Sequence, residues 1–196
     1  MSSTNRSNVR EAHVGDYYVT PVNRILDFLY EFNKYETILY DDIKILDPTA
    51  GGDSKNSMSY PEALQKIGVD RDRIDTIDIR QDSKADLIGD YLNIKLPRHY
   101  DVIITNPPFK IAREVIEKAL DYDVRDDGFV IMLLRLNYFG GDLRKDMWEK
   151  QLPKYSFVHS KRISFTENGK TDSIEYMHCV WQKGYYPDFT QLMVVN

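Results

Sequence analysis

The order of apolar segments constrains the fold of this chain more than any other feature of its sequence. Short runs of β-branched and aliphatic residues, which are typical of buried strands, alternate with segments that have apolar residues at helical spacing. The strand segments are residues 43–46, 74–79, 86–94, 102–104 and 129–134, and the helical segments are residues 22–32, 60–67 and 111–120. This alternation predicts an α/β fold with a mainly parallel sheet and helices on both faces.

The ends of this pattern allow two more detailed predictions. Thr20 is a plausible N-cap for the first helix, with Pro21 as its first helical residue. After residue 134, residues 155–158, 162–165 and 176–181 resemble strands without long helices between them. They predict an antiparallel hairpin at the sheet edge, with its turn at or near residues 167–170.

Length and composition favour one domain. A chain of 196 residues with 42% hydrophobic content can bury a core of its own. We expect a mobile segment over residues 1–15 and a single domain over residues 16–196. One cysteine excludes an intramolecular disulfide, and the four histidines lack metal-ligand spacing, so we predict no metal site. There is neither a membrane-length apolar run nor a signal peptide, so we expect a cytoplasmic protein without a membrane partner.

The charge is distributed unevenly. The net charge of −5 argues against indiscriminate coating of nucleic acid. Residues 1–134 carry 17 basic and 24 acidic side chains, whereas residues 135–184 carry 9 basic and 6 acidic ones. The C-terminal third is therefore the better seat for a polyanion, although a solvated face of mixed charge explains the same numbers.

The strand at residues 102–104 ends in Asn106-Pro107-Pro108-Phe109. Two prolines lack N–H groups and stop a strand abruptly, and ligands of open α/β sheets bind at such carboxyl ends. The Asn106 side chain and the Pro107 carbonyl are suited to accept hydrogen bonds from an exocyclic amine, and Phe109 is suited to stack on the ring that carries it. Taken alone, the tetrapeptide also fits an ordinary strand followed by a proline turn.

Three further segments occur at strand ends. The turn at residues 47–53 contains Gly51 and Gly52, Asp78 ends the second strand, and Asp90-Tyr91 follows the third. Glycines allow close approach of a ligand, and a carboxylate after the second strand suits ribose hydroxyls. The spaced third glycine of a dinucleotide site is missing, which disfavours an oxidoreductase. One nucleotide-like ligand lying across the strand ends would reach all three segments.

Together these segments resemble the DNA N6-adenine methyltransferases of the small phage or prophage type. The resemblance rests on residues 17–21 (YYVTP), 46–52 (LDPTAGG), 106–109 (NPPF), 134–140, 162–165, 171–173 and 176–181. It implies a Rossmann-like methyltransferase fold, S-adenosylmethionine as cofactor, and methyl transfer to the N6 amine of a flipped adenine in DNA. Two departures are the adjacent Gly51 and Gly52, and a target-recognition region limited to residues 135–175.

The resemblance also assigns the candidate catalytic and cofactor-binding residues. The catalytic residues are Asn106, Pro107, Pro108 and Phe109. The cofactor-binding residues are Tyr17, Thr20, Pro21, Asp47, Pro48, Ala50, Gly51, Gly52, Asp78, Ile79, Asp90 and Tyr91. The candidate substrate-binding residues come from charge and position: Arg144, Lys161 and Arg162 as phosphate contacts, and Arg135, Asn137 and Tyr138 because they follow the last parallel strand. Each of the six also fits a surface charge or an edge-strand residue. Alternatives are an enzyme of the same fold acting on RNA amines or protein glutamine, and a relative that binds cofactor or DNA without turnover.

Overall fold

The computed structural model describes residues 18–38, 42–165 and 173–196. The helices are Val22–Phe32 (α1), Ser59–Lys66 (α2), Ala112–Lys118 (α3) and Lys145–Lys150 (α4). The strands are Ile45–Asp47 (β1), Ile74–Asp78 (β2), Leu87–Ile88 (β3), Tyr100–Thr105 (β4), Val124–Arg135 (β5), Tyr155–His159 (β6), Tyr176–Gln182 (β7) and Gln191–Val195 (β8). They form a sheet in the order β3-β2-β1-β4-β5-β7-β6-β8.

The sheet has a parallel half and a mixed half. Strands β3, β2, β1, β4 and β5 pair in parallel, whereas β7 pairs antiparallel with both β5 and β6. The predicted mainly parallel sheet with antiparallel strands on one side is therefore confirmed. The outer edge is β8, which pairs in parallel with β6 and was not predicted. Only its last residue, Val195, is buried, so the strand has almost no apolar periodicity to read.

Helices cover both faces of the sheet, as predicted. Successive side chains of β4 point to opposite faces, so Val102 and Ile104 belong to one buried cluster and Ile103 to another. The first cluster includes the apolar faces of α1 and α2, and the second includes α3 and Met147 of α4. Because both faces of β4 are buried, its carboxyl end is held rigidly from either side.

Helix α1 begins one residue later than the sequence predicts. Pro21 is the N-cap, with extended backbone angles, and its carbonyl accepts hydrogen bonds from the amides of Arg24 and Ile25. The prediction that Thr20 caps the helix is wrong. Thr20 is buried, and its hydroxyl instead accepts a hydrogen bond from Asn106.

The predicted strand at residues 162–165 is also wrong, because these residues pair with no strand in the described chain. Ile163 is buried against Leu133 and Tyr176, so its apolar character reflects packing and not sheet pairing. The predicted turn at residues 167–170 and the N-terminal segment 1–15 lie outside the described residues. Every helix within the described ranges is too short or too polar to span a lipid bilayer.

Candidate active site

A cleft opens at the carboxyl ends of the parallel strands, where open α/β sheets bind their ligands. Its wall comes from the turns that follow β1, β2, β3 and β4 and from the last residue of β5. The wall residues are 48–50, 78–80, 89–92, 106–111 and Arg135, together with Tyr18, Thr20, Ser59, Tyr60 and Val115. Segments that are far apart in sequence therefore meet around one volume.

Asn106 is held at two points at the end of β4. Its side-chain Nδ2 donates to the Thr20 hydroxyl over 3.1 Å, and its main-chain carbonyl accepts from the Thr49 hydroxyl over 3.2 Å. With the amide NH2 turned to Thr20, the Oδ1 acceptor is on the opposite side of the amide group. Pro107 and Pro108 fix the chain that follows, since proline restricts φ. All three residues line the cleft.

Asp47 lies beneath this loop and not on the cleft wall, although the sequence predicts a cofactor contact for it. Its side chain is 0% exposed, and its Oδ1 accepts from the Thr105 hydroxyl over 2.5 Å and from the Thr49 amide over 3.3 Å. Burial raises the pKa of Asp47 to about 7, these hydrogen bonds oppose the shift, and the nearby Asp78 charge adds to it. Asp47 thus joins the turn after β1 to the end of β4.

Flat groups surround the Asn106 end of the cleft. The Arg135 guanidinium lies 4.5 Å above the Phe109 ring, and the Tyr176 ring centre is 6.0 Å from that of Phe109. Phe165 contacts Tyr176 at 5.0 Å and Tyr18 at 5.5 Å, both edge to face. Such a surface suits a planar aromatic ligand more than a flexible aliphatic one.

Gly51 and Gly52, in the turn after β1, lie behind the part of the cleft wall that contains Asp78. Gly51 and Gly52 have φ of 67° and 73°, and a Cβ on Gly52 would lie 2.6 Å from Met58 Cγ. The Gly51 amide donates to Asp78 Oδ2 over 2.7 Å, and the Arg80 guanidinium donates to the Gly52 carbonyl over 2.8 Å. Neither glycine is part of the cleft wall, although the sequence predicts a cofactor contact for both, and they shape the turn that holds Asp78.

Asp78, Ile79, Asp90 and Tyr91 all line the cleft, as the sequence suggests. Asp78 Oδ1 accepts from the Arg80 amide over 2.8 Å, and Asp90 Oδ1 accepts from the Leu92 amide over 3.1 Å. The Tyr91 hydroxyl donates to Asp123 over 2.6 Å, away from the cleft, and burial raises its pKa well above the usual range. Tyr91 therefore presents its ring and not its hydroxyl to a ligand.

The predicted substrate residues are mostly outside the cleft wall. Arg135 lines the cleft, whereas Tyr138 is buried beneath the Arg144 guanidinium at 4.5 Å. The Arg144 Nε also donates to the Tyr138 carbonyl over 2.7 Å, and Arg162 forms an ion pair with Glu175 at 3.1 Å. Of the six predicted substrate residues, five do not line the cleft, namely Asn137, Tyr138, Arg144, Lys161 and Arg162.

Among the predicted cofactor residues, Tyr17 lies outside the described residues and Pro21 is the α1 cap. Thr20, Pro48 and Ala50 line the cleft. The sequence did not predict ten of the wall residues, which are Tyr18, Thr49, Ser59, Tyr60, Arg80, Gly89, Leu92, Lys110, Ile111 and Val115. Tyr18 and Thr49 lie in the segments YYVTP and LDPTAGG, so the sequence motifs could have identified them. Ser59 and Tyr60 start α2 and reach the cleft only through tertiary packing.

A buried chain of polar groups leads away from Tyr60. The Tyr60 hydroxyl is 3.0 Å from His178 Nε2, and His178 Nδ1 is 2.9 Å from His159 Nε2. The Phe28 ring stacks on His178 at 4.1 Å. Burial lowers the pKa of His159 to about 4 and that of His178 well below its usual value, so both imidazoles are neutral at neutral pH.

Solved structures decide the type of fold. A candidate RNA methyltransferase from Pyrococcus horikoshii has 17% identity and a TM-score of 0.60, with 90% of this chain and 91% of that one covered. The chain has the fold of class I S-adenosylmethionine-dependent methyltransferases. A candidate enzyme of that class from Listeria monocytogenes matches with 17% identity and a TM-score of 0.59, over 90% of this chain and 65% of its own.

Longer proteins of restriction systems share this fold. The M protein of the type I restriction enzyme EcoKI matches with 14% identity and a TM-score of 0.53, over 86% of this chain. This chain spans 65% of the Listeria protein and 44% of the EcoKI M protein. No protein-family model and no curated protein matches the sequence.

Proposed function

We propose that the protein transfers a methyl group from S-adenosylmethionine to the exocyclic N6 amine of adenine in DNA. The observation that carries the proposal is the position of Asn106, which lines the cleft with its amide anchored to Thr20 and its carbonyl to Thr49. A fixed amide oxygen next to a proline carbonyl at the end of β4 matches what a planar NH2 group needs as acceptors.

The cleft residues fit the proposed cofactor. Asp78 accepts backbone hydrogen bonds, yet each carboxylate oxygen has a further lone pair for a ribose hydroxyl. Ile79 is 47% exposed in the cleft and offers an apolar surface to an adenine ring, and Asp90 offers an acceptor for its amine. When bound, S-adenosylmethionine supplies an electrophilic methyl group.

The contribution of the chain is then orientation and exclusion of water. Asn106 Oδ1 and the Pro107 carbonyl accept hydrogen bonds from the two N6–H groups, which favours the pyramidal, nucleophilic nitrogen as it develops. The methylated nitrogen then loses one proton. Phe109 stacks on the base with one ring face, and the Arg135 guanidinium covers the Phe109 ring at 4.5 Å. In duplex DNA the base has to flip out of the helix, at a cost of a few kcal/mol that stacking partly offsets.

DNA is the first choice of substrate because restriction proteins share the fold and because the C-terminal third of the chain is basic. A nuclease-deletion mutant of the type ISP restriction-modification enzyme LlaGI, solved in complex with a DNA substrate mimic, also matches with 12% identity and a TM-score of 0.53, over 91% of this chain and 27% of its own. RNA is the second candidate, supported by the Pyrococcus protein, which this chain covers almost completely.

The test is transfer of labelled methyl from S-adenosylmethionine to unmethylated DNA and to RNA, followed by nucleoside analysis. We expect N6-methyladenine in DNA from the wild-type protein and a loss of at least about 100-fold in Asn106→Ala. Calorimetry should show cofactor binding nearly unchanged in that variant, since Asn106 is proposed to hold the acceptor. Full activity of Asn106→Ala would refute the assignment, and label only in RNA would move the proposal to that substrate.

A further inference from the structure

Four oxygen atoms form a row that runs from the buried Asp47 at the end of β1 to Asn106 on the cleft wall. We call this row the hydroxyl relay; it consists of Asp47 Oδ1, Thr105 Oγ1, Thr49 Oγ1 and the Asn106 carbonyl. Successive distances are 2.5 Å, 2.6 Å and 3.2 Å. All three distances are within hydrogen-bonding range. The relay therefore connects a buried carboxyl to the main chain of the proposed catalytic asparagine.

Counting protons limits how the relay works. Three contacts need three protons if each is to be a hydrogen bond of its own, and the two threonine hydroxyls supply one each. The carbonyl of Asn106 supplies none. The third proton has to come from the Asp47 carboxyl, which then donates to Thr105, while Thr105 donates to Thr49 and Thr49 donates to Asn106. With an ionised Asp47 the Thr105 hydroxyl instead donates to the carboxylate, and the Thr49 proton is shared between Thr105 and Asn106.

We propose, on the basis of the function proposed above, that Asp47, Thr105 and Thr49 are positioning residues for Asn106, and that the relay is complete only when Asp47 is protonated. Methyl transfer is then fastest with a neutral Asp47. Ionisation weakens the contact that fixes the Asn106 carbonyl, so the acceptor oxygen at the cleft loses its exact placement relative to the amine. A shift of about 1 Å at such a group can lower a rate about 100-fold.

The surroundings of Asp47 favour its neutral form. Its side chain is 0% exposed, and within the described chain its Oδ2 has no hydrogen-bond partner, which is costly for a buried carboxylate. The charged or titratable groups that face it are Asp78 at the end of β2, with Arg80 beside that carboxylate, and Tyr60 on α2. The Asp78 charge and burial both raise the pKa of Asp47, to about 7.

The first experiment compares the pH profile of methyl transfer in matched variants. Wild-type activity should fall as pH rises through about 7. Asp47→Asn, a permanent neutral donor, should lose this decline. Thr105→Val, which keeps shape but interrupts the relay, should be slower by about 10- to 100-fold at all pH values. Thr105→Ser keeps the hydroxyl and should restore most of the rate.

A second experiment measures the titration of Asp47 in the absence of substrate. Carbon-13 NMR of carboxyl-labelled aspartates, with Asp47→Asn as the assignment control, should show a carboxyl that titrates near pH 7. In Thr105→Val this titration should shift, because a partner of the carboxyl is gone. An Asp47 that titrates near 4, or a pH profile unchanged by Asp47→Asn, would overturn the inference. A shifted Asp47 in a protein that methylates nothing would count against the proposed function only.

Discussion

Two chains of polar groups adjoin the cleft, and they differ in where they end. The hydroxyl relay starts at Asp47 and ends at the Asn106 carbonyl. The other chain, which we call the imidazole chain, starts at Tyr60 and continues through His178 to His159. The first reaches a residue proposed to hold the acceptor amine, whereas the second leads away from the cleft to β7 and β6. The hydroxyl relay thus positions Asn106, whereas the imidazole chain connects α2 to β7 and β6.

Burial shifts the pKa values of the titratable groups in the two chains in opposite directions. Burial disfavours the charged form of any group, so it raises the pKa of the Asp47 carboxyl and lowers the pKa of the His159 and His178 imidazoles. Burial therefore favours the neutral form of all three groups, and Asp47 stays mostly protonated only below about pH 7. Burial thus favours the neutral form in both chains, but the two chains lose stability in different pH ranges. Ionisation of Asp47 lowers stability as pH rises, whereas protonation of the histidines lowers it as pH falls.

The largest expected effect is the pH dependence of stability that Asp47 causes. Its pKa is raised from 3.8 to about 7, so the native state binds more protons than the unfolded state between these values. Its stabilising contribution is complete below pH 3.8 and is lost as pH rises through about 7. Relative to Asp47→Asn, the wild-type free energy of unfolding should fall by about 1.4 kcal/mol per pH unit at most across this window.

Urea unfolding of both proteins at a series of pH values measures this difference. In Asp47→Asn the two histidines of the imidazole chain should determine how the free energy of unfolding depends on pH. This dependence is opposite to that of Asp47, because stability rises with pH. The pKa of His159 is lowered from 6.5 to about 4, so stability should be complete above pH 6.5 and decline as pH falls toward 4. A wild-type and a variant curve that run parallel from pH 4 to pH 7 would contradict the assignment of a raised pKa to Asp47.

The next effect concerns the middle of the imidazole chain. His178→Phe keeps a flat ring against Phe28 but leaves the Tyr60 hydroxyl and His159 Nε2 without their partner. Unpaired buried polar groups cost about 1–3 kcal/mol each, so we expect a loss of about 2–3 kcal/mol in unfolding free energy. Urea unfolding at pH 7.5 measures it, where the imidazoles are neutral.

His99→Phe is the matched control, because His99 is exposed. That substitution should change the unfolding free energy by less than about 0.5 kcal/mol. If His178→Phe were as mild as His99→Phe, the imidazole chain would contribute nothing to the joining of α2, β7 and β6.

The sequence predicted the Asn106 end of the cleft well because the information there is local. An apolar strand, two prolines and a following helix are consecutive in the chain, and they fix where Asn106 emerges. Asp78 and Asp90 were placed for the same reason, since each directly follows a strand segment. Local pattern therefore sufficed wherever a residue and the element that positions it are neighbours.

The rest depended on contacts between distant segments. Thr49 and Asn106 are 57 residues apart, and Thr20 and Asn106 are 86 apart, so no periodicity links them. Asp47 is predicted to bind the cofactor because it belongs to the segment LDPTAGG, which resembles a cofactor motif. Its position below the cleft wall depends on the packing of β1 between β2 and β4. Strand β8 was missed because most of its side chains are exposed.

The smallest predicted effect tests whether the two chains act separately. Tyr60→Phe removes a hydroxyl that faces Asp47 and contacts His178, while the ring stays in place. Loss of one buried hydrogen bond should lower the free energy of unfolding by about 1 kcal/mol. Because the removed group is neutral, the pH dependence that Asp47 causes should be the same in the Tyr60→Phe background, measured as the difference from Tyr60→Phe/Asp47→Asn. A changed slope would mean that the relay and the imidazole chain form one coupled network through Tyr60, and that the pKa of Asp47 depends on the histidines.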